Sequence, residues 1–407
     1  MRYDSSEMNN PADHKLHPQT LAIRIQAERT QNREHAVPLY MTSSFTFEDA
    51  EQARAMFADE EPGSIYTRFS NPNTNELVEK MCMLEQAEDG LTTASGMAAV
   101  FVSLAGILKS GDHLVASRAV FGSTHQVITM LLPRWGITHT YVDTNADQQD
   151  WERAIQPNTR MIFAETPSNP GLDLVDLSML GVLAKKHNLL LNVDNCFATP
   201  YVQQPAVFGA DIITHSATKF IDGQGRALGG IIVGKKDVIR ELRFFARHSG
   251  PAMSPFNAWI FSKSLETLAV RMEKHCSNAF ELARWLQGNQ MNHLERVRYP
   301  FLPDYPKMDL ARKQMLSGGA MVCFTVKGGL ERGRRFLNNL QLCSLTANLG
   351  DTRTIATHPA STTHSKLSET DRKAVGIDAG LIRISVGLEH ISDIQHDIAR
   401  ALAASVD

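Results

Sequence analysis

The chain holds only five cysteines among 407 residues, at positions 82, 196, 276, 323 and 343. They are odd in number and scattered, with no C-x-x-C pair, which argues against a disulfide framework or a zinc site and fits a reducing cytoplasm. Long apolar runs are also missing. The longest mainly apolar stretch, Met97 to Leu108, falls well short of the ~20 residues that span a bilayer. The N-terminus carries Arg2, Asp4, Glu7 and Asp13 and has no apolar segment of the kind a secretory signal needs. No basic stripe stands out at a formal net charge of −3, so nucleic acid is not an expected partner. Internal repeats and low-complexity tracts are absent. What remains is an ordinary globular composition, 43% hydrophobic and 21% charged, long enough for two to three domains.

Residues 1–62 are polar and irregular and read as an arm that packs on something else, with one short extended stretch near Thr42 to Phe47. From about residue 90, apolar strand-length runs alternate with helix-length amphipathic segments. The runs are His113–Ser117, Ile137–Val142, Thr159–Glu165, Leu189–Asp194, Asp211–His215 and Gly230–Val233. Gly122–Trp135 and Asp176–His187 show helical spacing. This rhythm predicts an α/β fold with a mostly parallel, doubly wound sheet over residues 63–256. The runs are apolar throughout, as expected when helices cover both faces. Beyond Pro255 a long helical stretch, Asn257 to Gln290, precedes candidate strands Ala320–Val326 and Leu381–Gly387 and a terminal helix from about Ile391. Residues 257–407 therefore read as a separate, smaller α+β domain.

The chemistry concentrates at strand ends, where open α/β sheets bind ligands. Asp211-Ile-Ile-Thr-His-Ser-Ala-Thr-Lys219 ends in one amine after two hydroxyls, Ser216 and Thr218. Leu189-Leu-Leu-Asn-Val-Asp194 ends in one carboxylate. Thr159–Glu165 leads into Thr166-Pro-Ser-Asn169-Pro170. Each residue alone reads as a solvated loop residue. Together, an amine, a carboxylate and hydroxyls at neighbouring strand ends are what pyridoxal 5'-phosphate requires: the amine anchors the aldehyde, the carboxylate keeps the pyridine nitrogen protonated, and the hydroxyls hold the phosphate.

Ser95-Gly96-Met97 opens an apolar segment, and a small-residue turn at a helix N-terminus suits a phosphate as well as a simple cap. Tyr66-Thr-Arg68 offers a bidentate phosphate reader or a plain surface arginine. Arg383 is a charge inside an apolar strand, hence either a buried ion pair or a clamp for a substrate carboxylate. The glycines of Gly223-Gln-Gly225-Arg-Ala-Leu-Gly229 invite a dinucleotide reading, but a strand-like run follows them instead of a helix, which excludes a nicotinamide site. His358 and His364 lack acidic or thiol companions at ligand spacing and read as loop histidines. Cys196 reads as a small packing residue.

Taken together, these residues resemble the cysteine/methionine-metabolism family of pyridoxal-phosphate enzymes. The resemblance runs from about Thr20 to the C-terminus and rests on YTRFSNPNT, TASGMAA, ETPSNP, VDNCFATP, HSATKFIDGQGR, HPASTTH and IRISVGLE. It implies an aminotransferase-like fold type I. Lys219 would anchor the cofactor and Asp194 would pair with its ring nitrogen. Gly96, Met97, Ser216 and Thr218 would bind the phosphate. Tyr66 and Arg68 would reach that phosphate from a neighbouring subunit, in a homotetramer built from dimers that share active sites. Arg383 and Asn169 would bind the substrate α-carboxylate. Phe121 stands where many members stack a tyrosine on the ring; it can stack but not move protons. Asn348 stands where a serine is common in the lyases and would contact substrate. HSATKFIDGQGRALGG, GPAMSPFNAW, SLETL and NLGDTRT look most like the O-succinylhomoserine sulfhydrylase branch. The implied reaction is γ-replacement, turning O-succinyl-L-homoserine and hydrogen sulfide into L-homocysteine and succinate. Cystathionine γ-synthesis with cysteine, O-acetylhomoserine sulfhydrylation and γ-elimination stay open beside it. Arg118 and Arg353 are candidates for the succinyl carboxylate.

Overall fold

The computed structural model describes residues 16–362, 365, 372 and 376–406. His364 lies outside them. The larger sheet holds seven strands: β1 (Asp89–Thr93), β2 (His113–Ser117), β3 (Thr138–Val142), β4 (Thr159–Glu165), β5 (Leu190–Asp194), β6 (Ile212–Ser216) and β7 (Gly230–Gly234). Their order is β1-β7-β6-β5-β4-β2-β3. β2 to β6 run parallel, and only β7 runs against its neighbours. Side chains alternate between two buried layers. Val115, Ile162, Ile213 and Ile231 enter one core with Leu77, Met81 and Leu180. Leu114, Met161, Ile212 and Ile232 enter the other with Ala99, Ile239 and Leu242. Helices thus cover both faces, which is why the strands carry apolar residues on both sides. β1 pairs with β7 through Gly90, where a Cβ would stand 2.7 Å from the Ile232 carbonyl.

A second sheet holds β8 (Leu294–Arg298), β9 (Met321–Val326), β10 (Ser344–Leu345), β11 (Ile355–Thr357) and β12 (Leu381–Ser385) in the order β10-β11-β12-β9-β8. It is antiparallel except at β10-β11. Its core packs Phe324, Ile382 and Ile384 against Leu282, Phe336 and Ile398. This is the smaller α+β unit.

Two expected helices are broken. Asn257 to Gln290 is two helices, Pro255–Leu265 and Leu268–Asn289. Thr267 leaves helical geometry at φ −113° and ψ 5°. The break lets the buried Arg271 guanidinium donate to the carbonyls of Ser264, Phe220 and Ile221, so it braces the segment just after Lys219. Gly122–Trp135 is one α-turn, then a π-helical turn from Val127 and a 3-10 turn from Leu132. Pro133 cannot donate to the ladder, and the Thr129 hydroxyl bonds back to the His125 carbonyl at 2.8 Å, which bends helices.

The arm lies on the helix Pro72–Glu85: Tyr40 N–H donates to Asn73 Oδ1 at 2.8 Å, and the Ala27 N–H reaches Glu76 at 2.9 Å. Among the described residues no helix is long and apolar enough to cross a membrane. All five cysteines are free.

Candidate active site

The parallel strands deliver their chemistry to one edge. Glu165 and Asp194 face each other in register at the ends of β4 and β5, and Asp194 is paired with Thr214 on β6. A cavity of about 250 Å³ opens there. Nine of the residues singled out in the sequence line it: Gly96, Met97 and Phe121 on one side, Asn169, Asp194 and Ser216 at the strand ends, then Thr218, Lys219 and Arg383. Asn348 joins by contact with Lys219.

Gly96 is the first residue of the helix Gly96–Ala105, capped by Ser95 Oγ, which accepts from the Ala98 N–H at 3.1 Å. A Cβ on Gly96 would fall 2.5 Å from Ser216 Cβ, so this position keeps the helix terminus open against the β6 end. The first turn of this helix thus lies against the Ser216 hydroxyl, an arrangement able to receive an anion. Thr218 Oγ1 accepts from the Gly229 N–H at 3.1 Å, which ties the loop after β6 to the start of β7.

The Lys219 amine donates to Asn348 Oδ1 at 2.7 Å. Burial pulls its proton affinity below the usual lysine range; Arg383 acts in the same direction, while Cys196 opposes it. Gly350, with φ +76°, packs on the Lys219 backbone, where a Cβ would meet Phe220 N at 2.5 Å. Asp194 Oδ1 accepts from the Cys196 N–H at 3.0 Å, and burial raises its pKa to about 6.

Arg383, on β12, is 4% exposed. Its Nη1 donates to Asn169 Oδ1 at 2.7 Å, and its Nη2 to Thr357 Oγ1 at 3.3 Å and the Asn348 carbonyl at 3.4 Å. Its Nε has no partner, and burial pulls its pKa down to about 10. Among the described residues no carboxylate lies within ion-pair range of it. The ion-pair reading of this strand arginine therefore fails among the described residues, and its guanidinium is held by neutral acceptors alone.

Tyr66 and Arg68 do not reach the cavity within this chain. Tyr66 is exposed, and Arg68 Nη1 donates to the Arg247 carbonyl with its guanidinium 4.9 Å from the Phe69 ring. Arg118 and Arg353 also lie outside the cavity. The first sits 5.6 Å over Tyr141, and the second is held by both oxygens of Asp351 at 2.8 Å each.

Residue patterns passed over Thr124 and gave no chemical role to Glu165 or to Cys196, which they read as a packing residue; all three line the cavity. Glu165 was visible as a strand end but had no assigned task. Thr124 Oγ1 is buried with no partner. The residues fit pyridoxal phosphate: a cradle that a Cβ would fill, an unpartnered hydroxyl, an aromatic wall at Phe121, an amine, and an acid that burial holds short of a counter-ion.

Comparison with known proteins agrees with this geometry. A family model described as Cys/Met metabolism PLP-dependent enzyme matches residues 19–403. An O-succinylhomoserine sulfhydrylase of Pseudomonas aeruginosa is 46% identical over 95% of each chain. An L-methionine gamma-lyase of Porphyromonas gingivalis is 44% identical over 90% of this chain and 92% of its own. A crystal structure of a putative O-acetylhomoserine (thiol)-lyase from Campylobacter jejuni, with pyridoxyl-lysine-5'-monophosphate, superposes with a TM-score of 0.91 at 34% identity, covering 95% of this chain and all of that one. The chain belongs to the Cys/Met metabolism family of pyridoxal-phosphate-dependent enzymes.

Proposed function

We propose that this enzyme catalyses γ-replacement on O-succinyl-L-homoserine with hydrosulfide, giving L-homocysteine and succinate. The observation that carries the reading is the uncompensated guanidinium of Arg383, buried in one cavity with the Lys219 amine and the Asp194 acid. A buried cation without a counter-ion is costly unless an anion arrives. An amino-acid carboxylate supplies that anion, with Asn169 holding the guanidinium in place.

When bound, the cofactor supplies an electron sink for carbanions next to the substrate nitrogen. The rest falls to the chain. Asp194 would hold the ring nitrogen, its buried carboxylate gaining a cationic partner there. Ser216, Thr218 and the first turn at Gly96 would hold the phosphate. Phe121 forms an apolar wall that stacks but transfers no protons, so Lys219 carries them. Its burial favours the neutral amine, which can accept one proton at a time: first that of Cα and, once this has been handed on, that of Cβ, returning a proton to each carbon after the nucleophile has added. Asn348 holds that amine near the substrate carbons.

The succinyl ester is supported by the P. aeruginosa relative and by the resemblance of Phe121 and Asn348, each at its own position, to the sulfhydrylase branch. The L-methionine gamma-lyase relatives support a second reading, γ-elimination. The assembly we infer is a homotetramer of dimers, with Tyr66 and Arg68 from one subunit reaching the phosphate of the next. Residues 1–62 form the arm, 63–256 the cofactor domain and 257–407 the C-terminal domain of this cytoplasmic enzyme. The test is a set of parallel rates: succinyl and acetyl homoserine esters with sulfide or cysteine, beside L-methionine alone. Fastest homocysteine release from the succinyl ester with sulfide is expected. Faster thiol release from L-methionine alone would replace this reading with the second.

A further inference from the structure

Glu165 is a buried carboxylate with no assigned task, 4% exposed and in register with Asp194. Neighbouring strands lie about 4.8 Å apart, so a second acid at this point is unfavourable unless its oxygens are well satisfied. Both are. Oε2 accepts from the Phe121 N–H at 2.6 Å, and Oε1 accepts from the Asn169 N–H at 2.9 Å. The two donors belong to different loops, one after β2 and one after β4, and Glu165 joins them. From Asn169 the connection continues: its Oδ1 holds Arg383, Arg383 touches the Asn348 carbonyl, and Asn348 Oδ1 holds the Lys219 amine. A single hydrogen-bonded path thus runs around the cavity from its aromatic wall to its amine.

We propose that Glu165 is a positioning residue that locks the Phe121 wall and the Asn169–Arg383 clamp into one rigid frame, so that ring pose and carboxylate binding are set together. A carboxyl is required because two acceptors must sit on one stem. A glutamine amide at this position, with one acceptor and one donor, would set an NH₂ against a backbone N–H at equal volume. The proposal rests on the reading of Arg383 as the carboxylate clamp.

The test uses the holoenzyme and L-norleucine, an amino acid with no γ-leaving group, so the γ-reaction type does not enter. Spectral titration measures its dissociation constant, visible circular dichroism of the bound cofactor reports ring pose, and melting reports the fold. Glu165→Gln is expected to weaken L-norleucine about tenfold, the scale of one buried donor left unmet, and to change the dichroism. Asn169→Ala should weaken binding by a similar factor. The double variant should be no weaker than the weaker single, since both act through the same clamp. Should Glu165→Gln not fold, Glu165→Asp keeps two acceptors on a shorter stem and should shift both signals in the same direction, by less. Asn169→Ala with unchanged affinity would remove the clamp reading itself. Asn169→Ala weakened beside Glu165→Gln or Glu165→Asp at parental affinity and dichroism, or fully multiplicative losses in the double, would overturn the positioning role.

Discussion

Asp194 and Arg383 are groups hidden from water with no full counter-ion among the described residues, and each makes a measurable demand. Burial raises the Asp194 carboxyl to about 6 from an ordinary 3.8. The folded state then prefers the proton, so ionisation costs stability. That cost is absent below about pH 4, grows as pH rises through 6, and is full above it. Its size is on the order of 3 kcal/mol. In cofactor-free protein, Asp194→Asn should therefore raise the melting temperature at pH 8, with the difference vanishing near pH 4. An equal gain at both values would show that ionisation is not the cause. With cofactor the sign should invert, because the asparagine cannot pair with a protonated ring nitrogen. Arg383→Lys removes the planar fork that meets a carboxylate bidentately. It should raise KM for the amino-acid substrate at least about tenfold while the cofactor spectrum stays unchanged. A spectral change with KM preserved would move Arg383 from the clamp to the cofactor. Lys219 and Asp194 stood out in the sequence only as a set, because one amine, one carboxylate and two hydroxyls at neighbouring strand ends leave few explanations that each residue alone would allow; Arg383 stood out as a charge inside an apolar strand. Glu165 did not, because its partners are backbone N–H groups, which no side-chain pattern displays.

The helix Gly96–Ala105 and the β6 end form the proposed phosphate cradle only because Gly96 lacks a Cβ. Gly96→Ala would place that atom 2.5 Å from Ser216 Cβ and 2.9 Å from its Cα. Backbone must then shift, and we expect cofactor affinity to fall at least about tenfold with a smaller change in melting, since only one strand end moves. Equilibrium dialysis of the variant checks this; unchanged affinity would place the phosphate elsewhere. β2 and β4 end where the sequence pattern ends them, because burial on both faces makes an apolar run coextensive with the strand. β1 escaped notice, since Asp89-Gly-Leu-Thr-Thr93 has one apolar side chain and owes its place to pairing with β7. The break at Glu266–Thr267 escaped as well. Helical periodicity continues across it, and only the tertiary demand of Arg271 for three carbonyls explains it.

For the whole molecule, the position of Tyr66 and Arg68 away from the cavity agrees with an active site completed by a second copy. If so, Arg68→Ala and Lys219→Ala, each inactive or nearly so, should complement when refolded together. A random mixture of two-fold dimers holds about a quarter of intact sites and should recover about that share of parental activity. No recovery would confine the site to one chain. Sequence alone suggested this sharing through family resemblance, not through residue pattern, because a surface Tyr-Thr-Arg stretch carries no sign of its partner. Each of these roles depends on a covalent link between cofactor and Lys219. Reducing the holoenzyme with borohydride, digesting it and sequencing the peptides by mass spectrometry measures that link. We expect the pyridoxyl-phosphate mass on the peptide containing Lys219 and no other. The same mass on a different lysine, or none on any, would contradict the assignment.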